Sequence, residues 1–242
     1  MSKKICCKNC DENFTGNYCY NCGQKANTNY IDLKYFIHEI SNGIFSIDKG
    51  ILFTIRALTY HPIQVAVGYI KGKRVKLFSP YSYLIVMATA IVLLKKVGLQ
   101  INYDKALISE DLNRINSETP FWLLFVFSTP FFSFFAKLYY RKRTPYNIWE
   151  YIIILTYFTG HALFYLLIYK ILFLLFPNIQ EQVTVFVVLL IFAYLIGLIY
   201  SLHSKNYSQK LLLLIRTIAW FITSLVFSVL SIVLLRELYN LI

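Results

Sequence analysis

The stretch IWEYIIILTYFTGHALFYLLIYKILFLLF, residues 148–176, decides the fold class. Its only charged residues are Glu150 and Lys170. At a rise of 1.5 Å per residue, about 20 apolar residues cross a hydrocarbon core of roughly 30 Å. Lipid is therefore the expected solvent, with tilt taking up the excess length. Four other stretches share this character: residues 78–96, 120–138, 183–202 and 211–235. The first reaches spanning length when Lys95 and Lys96 snorkel at its end. Pro130 in the second predicts a kink, and Ser224 and Ser228 in the last permit close helix approach. No other window is apolar enough, so about five spans are expected.

Composition agrees. The 242 residues are 57% hydrophobic and 15% charged, whereas a soluble domain carries about a quarter charged residues. The formal charge of +12 raises the question of nucleic acid, and its distribution answers it. Residues 1–77 hold 11 Lys and Arg against 5 Asp and Glu. Lys137, Arg141, Lys142 and Arg143 cluster after the second stretch, and Lys205 and Lys210 after the fourth. The intervening segments, 98–119 and 177–182, are acidic or poor in charge. Alternate loops thus obey the positive-inside rule, which predicts a cytoplasmic N-terminus and an extracytoplasmic C-terminus. The opening residues, MSKKICCKNCDENF, contain no apolar h-region, so no cleavable signal is expected.

All five cysteines lie in the first 22 residues. Cys7-Lys8-Asn9-Cys10 and Cys19-Tyr20-Asn21-Cys22 form two CxxC knuckles. Such a pair turns four thiolates toward one point, at about 2.3 Å from a tetrahedral zinc. The expectation is a structural zinc that folds residues 1–25, too few to build a core. Iron or an iron–sulfur cluster uses the same ligands. Gly23 follows the second knuckle where a positive φ is needed, and Gly16 suits the connecting turn. Phe14 and Tyr18 are expected to pack over the metal, and Cys6 is a spare thiol.

Residues 26–77 read as amphipathic juxtamembrane helices. Leu33, Ile37, Ile40, Ile44 and Ile47 share one face. Asp48 can cap a second helix with the stripe Ile51, Leu52, Ile55 and Leu58. His61-Pro62 ends it, and Pro62 opens a third helix to Ile70. Lys71, Lys73, Arg74 and Lys76 then meet anionic headgroups, at about 1 kcal/mol each. Residues 78–242 form the helical bundle.

The segment Asn9-Cys10, Phe14-Thr15-Gly16-Asn17-Tyr18-Cys19-Tyr20-Asn21-Cys22-Gly23-Gln24, then Asp48-Lys49-Gly50, Thr54, Pro62, Gly68-Tyr69-Ile70-Lys71-Gly72-Lys73-Arg74 and Pro80, resembles a bacterial membrane-protein family known as domain of unknown function 3667. The resemblance covers roughly residues 7–85. It implies zinc at Cys7, Cys10, Cys19 and Cys22, and it implies no activity.

Within the apolar stretches, His161 is the one histidine near the centre of a span. Glu150, Tyr157 and Tyr165 fall on its helical arc, and an ionisable residue at that depth is a functional candidate. Neutral packing against a neighbouring helix is the commoner role. Glu150 and Arg216 share one boundary and can pair. No P-loop, GxGxxG, GxSxG or HExxH is present. The sequence therefore points to a mostly α, polytopic bundle with an N-terminal zinc ribbon. Its expected role is a non-enzymatic membrane adaptor or scaffold whose ribbon docks a cytoplasmic protein. A transporter or channel component with a polar path at His161 is the alternative, and a lipid-acting enzyme ranks behind it.

Overall fold

The computed structural model describes residues 4–26, 28, 31–35, 50–103, 121–175 and 181–240. The chain divides into two compact units, Met1–Tyr83 and Leu84–Ile242.

In the first unit, β1 (Ile5–Cys6) pairs antiparallel with β2 (Asn13–Phe14), with Ile5 opposite Phe14. A single bridge joins Tyr18 to Lys25. Two short helices follow, α1 (Gly50–Tyr60) and α2 (Pro62–Ile70). The break between them is the expected one: His61 leaves the helical region at φ −138°, and Pro62 takes the first helical position, where its missing N–H costs nothing. The helix expected from Leu33 to Ile47, with His38 and the Asp48 cap, lies largely outside the described residues.

The inward face of α1 differs from the expected stripe. Thr54 and Leu58 are buried, while Leu52 is 76% exposed. The reason is a hydroxyl. Thr54 Oγ1 donates to the Gly50 carbonyl at 2.8 Å and accepts the Phe78 N–H at 2.8 Å. It thereby fastens the returning chain to α1. That chain passes so close that a Cβ on Gly50 would lie 3.2 Å from the Lys76 carbonyl oxygen.

The end of α2 is a Schellman motif. Gly72 adopts φ +101°. The Lys73 N–H reaches the Gly68 carbonyl at 2.9 Å, and the Gly72 N–H reaches Tyr69 at 3.0 Å. Ser79 and Pro80 then start α3 (Pro80–Tyr103), the Ser79 carbonyl accepting the Tyr83 N–H at 2.8 Å.

The second unit contains α4 (Phe121–Tyr140), α5 (Ile148–Leu175), α6 (Glu181–His203), a 3₁₀ turn (Ser204–Asn206) and α7 (Lys210–Asn240). Helix α4 packs on α5 and on α7, α5 packs on α6, and α6 packs on α7, which closes a four-helix ring. Pro130 lies inside α4, which continues through it. Asn147 and Glu150 form a capping box at the start of α5: the Glu150 N–H reaches Asn147 Oδ1 at 2.8 Å, and the Asn147 N–H reaches Glu150 Oε2 at 2.7 Å.

Among the described residues, three helices are long and apolar enough to cross a membrane: Ile148–Leu172, Phe186–Asn206 and Lys210–Leu230. The segments expected as spans at 78–96 and 120–138 fall mainly within α3 and α4, which are not among these three. Helix α5 is the central one, with 72% of its span buried against 33% for each of the other two. The outer faces of α6 and α7 present Phe186, Leu189, Leu190, Ile215, Ile222 and Phe227. Apolar residues displayed in such numbers suit lipid rather than water.

Replacing Thr54 with Val keeps the shape of the side chain but strands the Phe78 N–H. The expected cost is about 1–3 kcal/mol, and hydrogen exchange at the Phe78 amide will accelerate markedly in the variant.

Candidate metal centre and buried polar sites

The two knuckles are built alike, each from the same backbone pattern repeated 12 residues on (Cys7 to Cys19). The Cys7 N–H donates to the Glu12 carbonyl and the Cys19 N–H to the Gln24 carbonyl, both at 2.8 Å. The Asp11 N–H donates to Cys7 at 2.9 Å, and the Gly23 N–H to Cys19 at 2.8 Å. Each knuckle closes through a left-handed residue directly after its second cysteine. In one it is Gly23 at φ +74°, in the other Asp11 at φ +60°. Gly23 is the expected positive-φ residue. Asp11 is not signalled by its type, although aspartate tolerates this region better than most side chains.

The sulfurs of Cys7, Cys10, Cys19 and Cys22 all lie within 4.8 Å of one another. Cys7 and Cys22 stand 3.5 Å apart, and Cys10 and Cys19 3.6 Å. Four thiolates at about 2.3 Å from a tetrahedral centre would be separated by about 3.8 Å. The set therefore fits and can hold a metal ion. Phe14 is 3% exposed and packs with Cys7 and Cys19 as the cover of the site. Tyr18, expected beside it, is instead 62% exposed. Cys6 is exposed and stands outside the cluster, its Sγ directed at the Asp11 carbonyl at 3.6 Å.

The thiols divide unequally. Around Cys22, burial opposes ionisation, but a hydrogen bond from the Gln24 backbone and the thiols of Cys10 and Cys7 hold it down to about 7. Around Cys10, the Glu12 backbone favours the thiolate, yet burial and the thiols of Cys22, Cys7 and Cys19 push it up to about 12. Four sulfurs at this spacing cannot all ionise without a cation to share them.

The ribbon is seated on the helical pair. Lys8, inside the first knuckle, lies where a Cβ on Gly72 would sit 2.9 Å from its Cδ, and Lys8 Nζ donates to the Thr28 carbonyl at 3.4 Å. Of the basic run, Lys71, Lys73 and Lys76 are exposed. Arg74 turns inward. Its Cζ lies 4.5 Å from the centre of the Tyr35 ring and 5.1 Å from that of Tyr69, and its Nε donates to the Tyr69 carbonyl at 3.1 Å.

In the ring of helices, His161 is 0% exposed. Its neighbours are aromatic: Tyr165 at 4.8 Å and Phe164 at 5.4 Å between centroids, and Tyr194 of α6 at 6.3 Å. Tyr157 is buried on the same helix. Glu150 is engaged in the cap of α5, and Arg216 Nη1 donates to Tyr207 Oη at 3.1 Å, so the two do not pair. A cavity of about 60 Å³ lies inside the ring, lined from all four helices by Phe132, Thr159, Phe192 and Trp220 among others, and not by His161.

A different histidine organises the polar interior. His203 closes α6 and is 0% exposed. Its Nδ1 faces the Ile199 carbonyl at 2.8 Å, and its Nε2 faces Tyr151 Oη of α5 at 2.9 Å. The Tyr140 ring of α4 stacks on it at 3.8 Å, nearly parallel at 13°. Tyr140 Oη donates to Thr217 Oγ1 of α7 at 2.9 Å, and Thr144 Oγ1 meets Tyr151 Oη at 2.9 Å. Sequence reading assigns His203 no role. The available signal is the pairing of a histidine at one helix end with tyrosines at the ends that must face it.

Two outcomes are expected. Elemental analysis of the purified chain will find about one metal per chain. It will be lost when Cys7, Cys10, Cys19 or Cys22 becomes Ser and retained in Cys6→Ser, and acidification will release it because the thiolate is the ligand. His203→Ala removes a stacked ring and strands the Tyr151 hydroxyl, so the bundle should lose about 2–4 kcal/mol, read as a lowered thermal midpoint in detergent. No curated protein and no solved structure matches the chain. Residues 48–92 match the family described as a protein of unknown function (DUF3667), a similarity that takes in α1, α2 and the first half of α3 and leaves the ribbon outside.

Proposed function

We propose that this chain is a membrane-anchored adaptor rather than an enzyme, and that its ribbon, closed on a structural zinc, docks a protein partner in the bacterial cytoplasm. The observation that carries the reading is a four-thiol site with no open position for chemistry, beside two outward tyrosines. A metal held by four cysteines serves structure, whereas a catalytic zinc keeps one position for water or substrate. Tyr18 and Tyr20 are 62% and 75% exposed, and Tyr20 Oη is oriented by a 2.8 Å hydrogen bond to Glu12 Oε1. Rigidly presented tyrosines are the side chains protein interfaces favour.

In this reading α3 and α4 join the three long apolar helices as spans, five in all. The N-terminus is cytoplasmic and the C-terminus extracytoplasmic. Lys71, Lys73 and Lys76 face anionic headgroups, while Arg74 holds the fold beneath them. The transporter alternative loses support from the aromatic enclosure of His161 and from a cavity that His161 does not line. The lipid-enzyme alternative still lacks a nucleophile or an acid–base pair among the described residues.

The test is photo-crosslinking in cells with a benzophenone amino acid at position 18. A discrete adduct should form, and Cys19→Ser in the same chain should abolish it. An adduct indifferent to Cys19→Ser, or none at all, would sink the adaptor reading.

A further inference from the structure

One end of the four-helix ring gathers cations with little to neutralise them. Residues 137–147 and 203–216 contain Lys137, Arg141, Lys142, Arg143, Lys205, Lys210 and Arg216 and no acidic residue. The next carboxylate along the chain, Glu150, accepts the Asn147 N–H. Lys137 is engaged by the Tyr146 carbonyl at 2.7 Å, and Lys210 by the carbonyls of Tyr207, at 3.0 Å, and Ser204.

The two arginines that remain closest to the ring are held differently. Both rest on Tyr207, a side chain 3% exposed. Arg143 Cζ lies 4.9 Å from the centre of its ring and Arg216 Cζ lies 5.6 Å away. Arg216 Nη1 also donates to Tyr207 Oη at 3.1 Å. Tyr207 is itself backed edge-on by Tyr140 at 6.4 Å, and so by the His203 cluster. Two guanidinium groups are thus held against one buried phenol. Each carries further N–H donors in a planar fork. That fork matches phosphoryl oxygens, and no carboxylate in these two segments competes for it.

Depth agrees with the chemistry. The candidate spans beginning at Ile148 and Lys210 and the one ending at Asn206 all meet at this end of the ring. In a bilayer this is the level of the phosphates. We propose that Arg143 and Arg216, positioned by Tyr207, form a binding site for a phosphoryl anion, either the headgroup of an anionic phospholipid or free phosphate. The proposal rests on the membrane reading of these helices and is independent of the adaptor role.

The test uses the full chain in neutral detergent, titrated with phosphatidylglycerol, with phosphatidylcholine as control, and followed by native mass spectrometry. A second titration uses inorganic phosphate alone. Phosphatidylglycerol should bind in preference to phosphatidylcholine. R143Q/R216Q should weaken it by about tenfold or more, and K142Q/K205Q, which removes the same charge from the same end, by less than about twofold. Binding of the lipid but not of phosphate identifies the headgroup as the source, and binding of phosphate that R143Q/R216Q abolishes identifies the soluble anion. Should the glutamine pair fail to elute as a single species, R143K/R216K keeps the charge but loses the fork, and several-fold weaker binding is expected. Equal loss in the two glutamine pairs, equal binding of the two lipids without phosphate binding, or lysine-pair binding like the wild type would each overturn the proposal.

Discussion

Apolar helices in hydrocarbon gain little by exchanging lipid neighbours for one another, so their arrangement is decided by packing and by buried hydrogen bonds. In this chain the deciding contact is His203. The Ile199 carbonyl can only accept, so Nδ1 carries a proton, and Nε2 on the far side of the ring meets Tyr151 Oη. With Tyr140 stacked on its face and bonded onward to Thr217, one imidazole on α6 is tied to α5, to α4 and through it to α7. All four helices are thereby set in register at one end. Nearer the middle, Trp220 Nε1 donates to the Phe132 carbonyl at 2.9 Å and joins α7 to α4 a second time. Removing any member leaves a polar group stranded in a dry interior, which is why such a network specifies one arrangement.

The N-terminal unit solves the opposite problem. There, the ribbon has too little apolar surface to hold a fold by burial alone. Two near-identical knuckles converge their sulfurs, and Phe14 closes over them. The helical pair beneath is secured by single atoms rather than by bulk: the hydroxyl of Thr54, the missing Cβ of Gly50 and the left-handed turn at Gly72. Several residues that carry the family resemblance thus have a visible task. Pro62 starts α2, Gly68 and Gly72 end it, and Arg74 lies between Tyr35 and Tyr69.

What could be read in advance follows from how local each signal is. Pro62 marks the start of α2 because a proline ring acts on its immediate neighbours, and the cysteine spacing announces convergence because a CxxC turn is self-contained. The burial of Thr54 in place of Leu52 was not legible, since it depends on a segment that returns 24 residues later. Nor was the role of His203, which is set by partners on two other helices. Glu150 carries a local signal of another kind, because Asn147-x-x-Glu150 is a capping signature that the two residues fulfil. Each of the five apolar stretches falls mainly within a helix, and among the described residues three of these helices meet the length and composition that a crossing requires.

Lys8 occupies a position with a mechanical consequence. It stands between two metal ligands, Cys7 and Cys10, and its stem fills the space that Gly72 leaves open at the end of α2. The thiol cluster and the helix terminus are therefore neighbours through one side chain. An ion gripped by the sulfurs would stiffen the loop that carries Lys8, and through its stem the left-handed turn at Gly72. Emptying the ribbon would then loosen the end of α2 as well as residues 1–25.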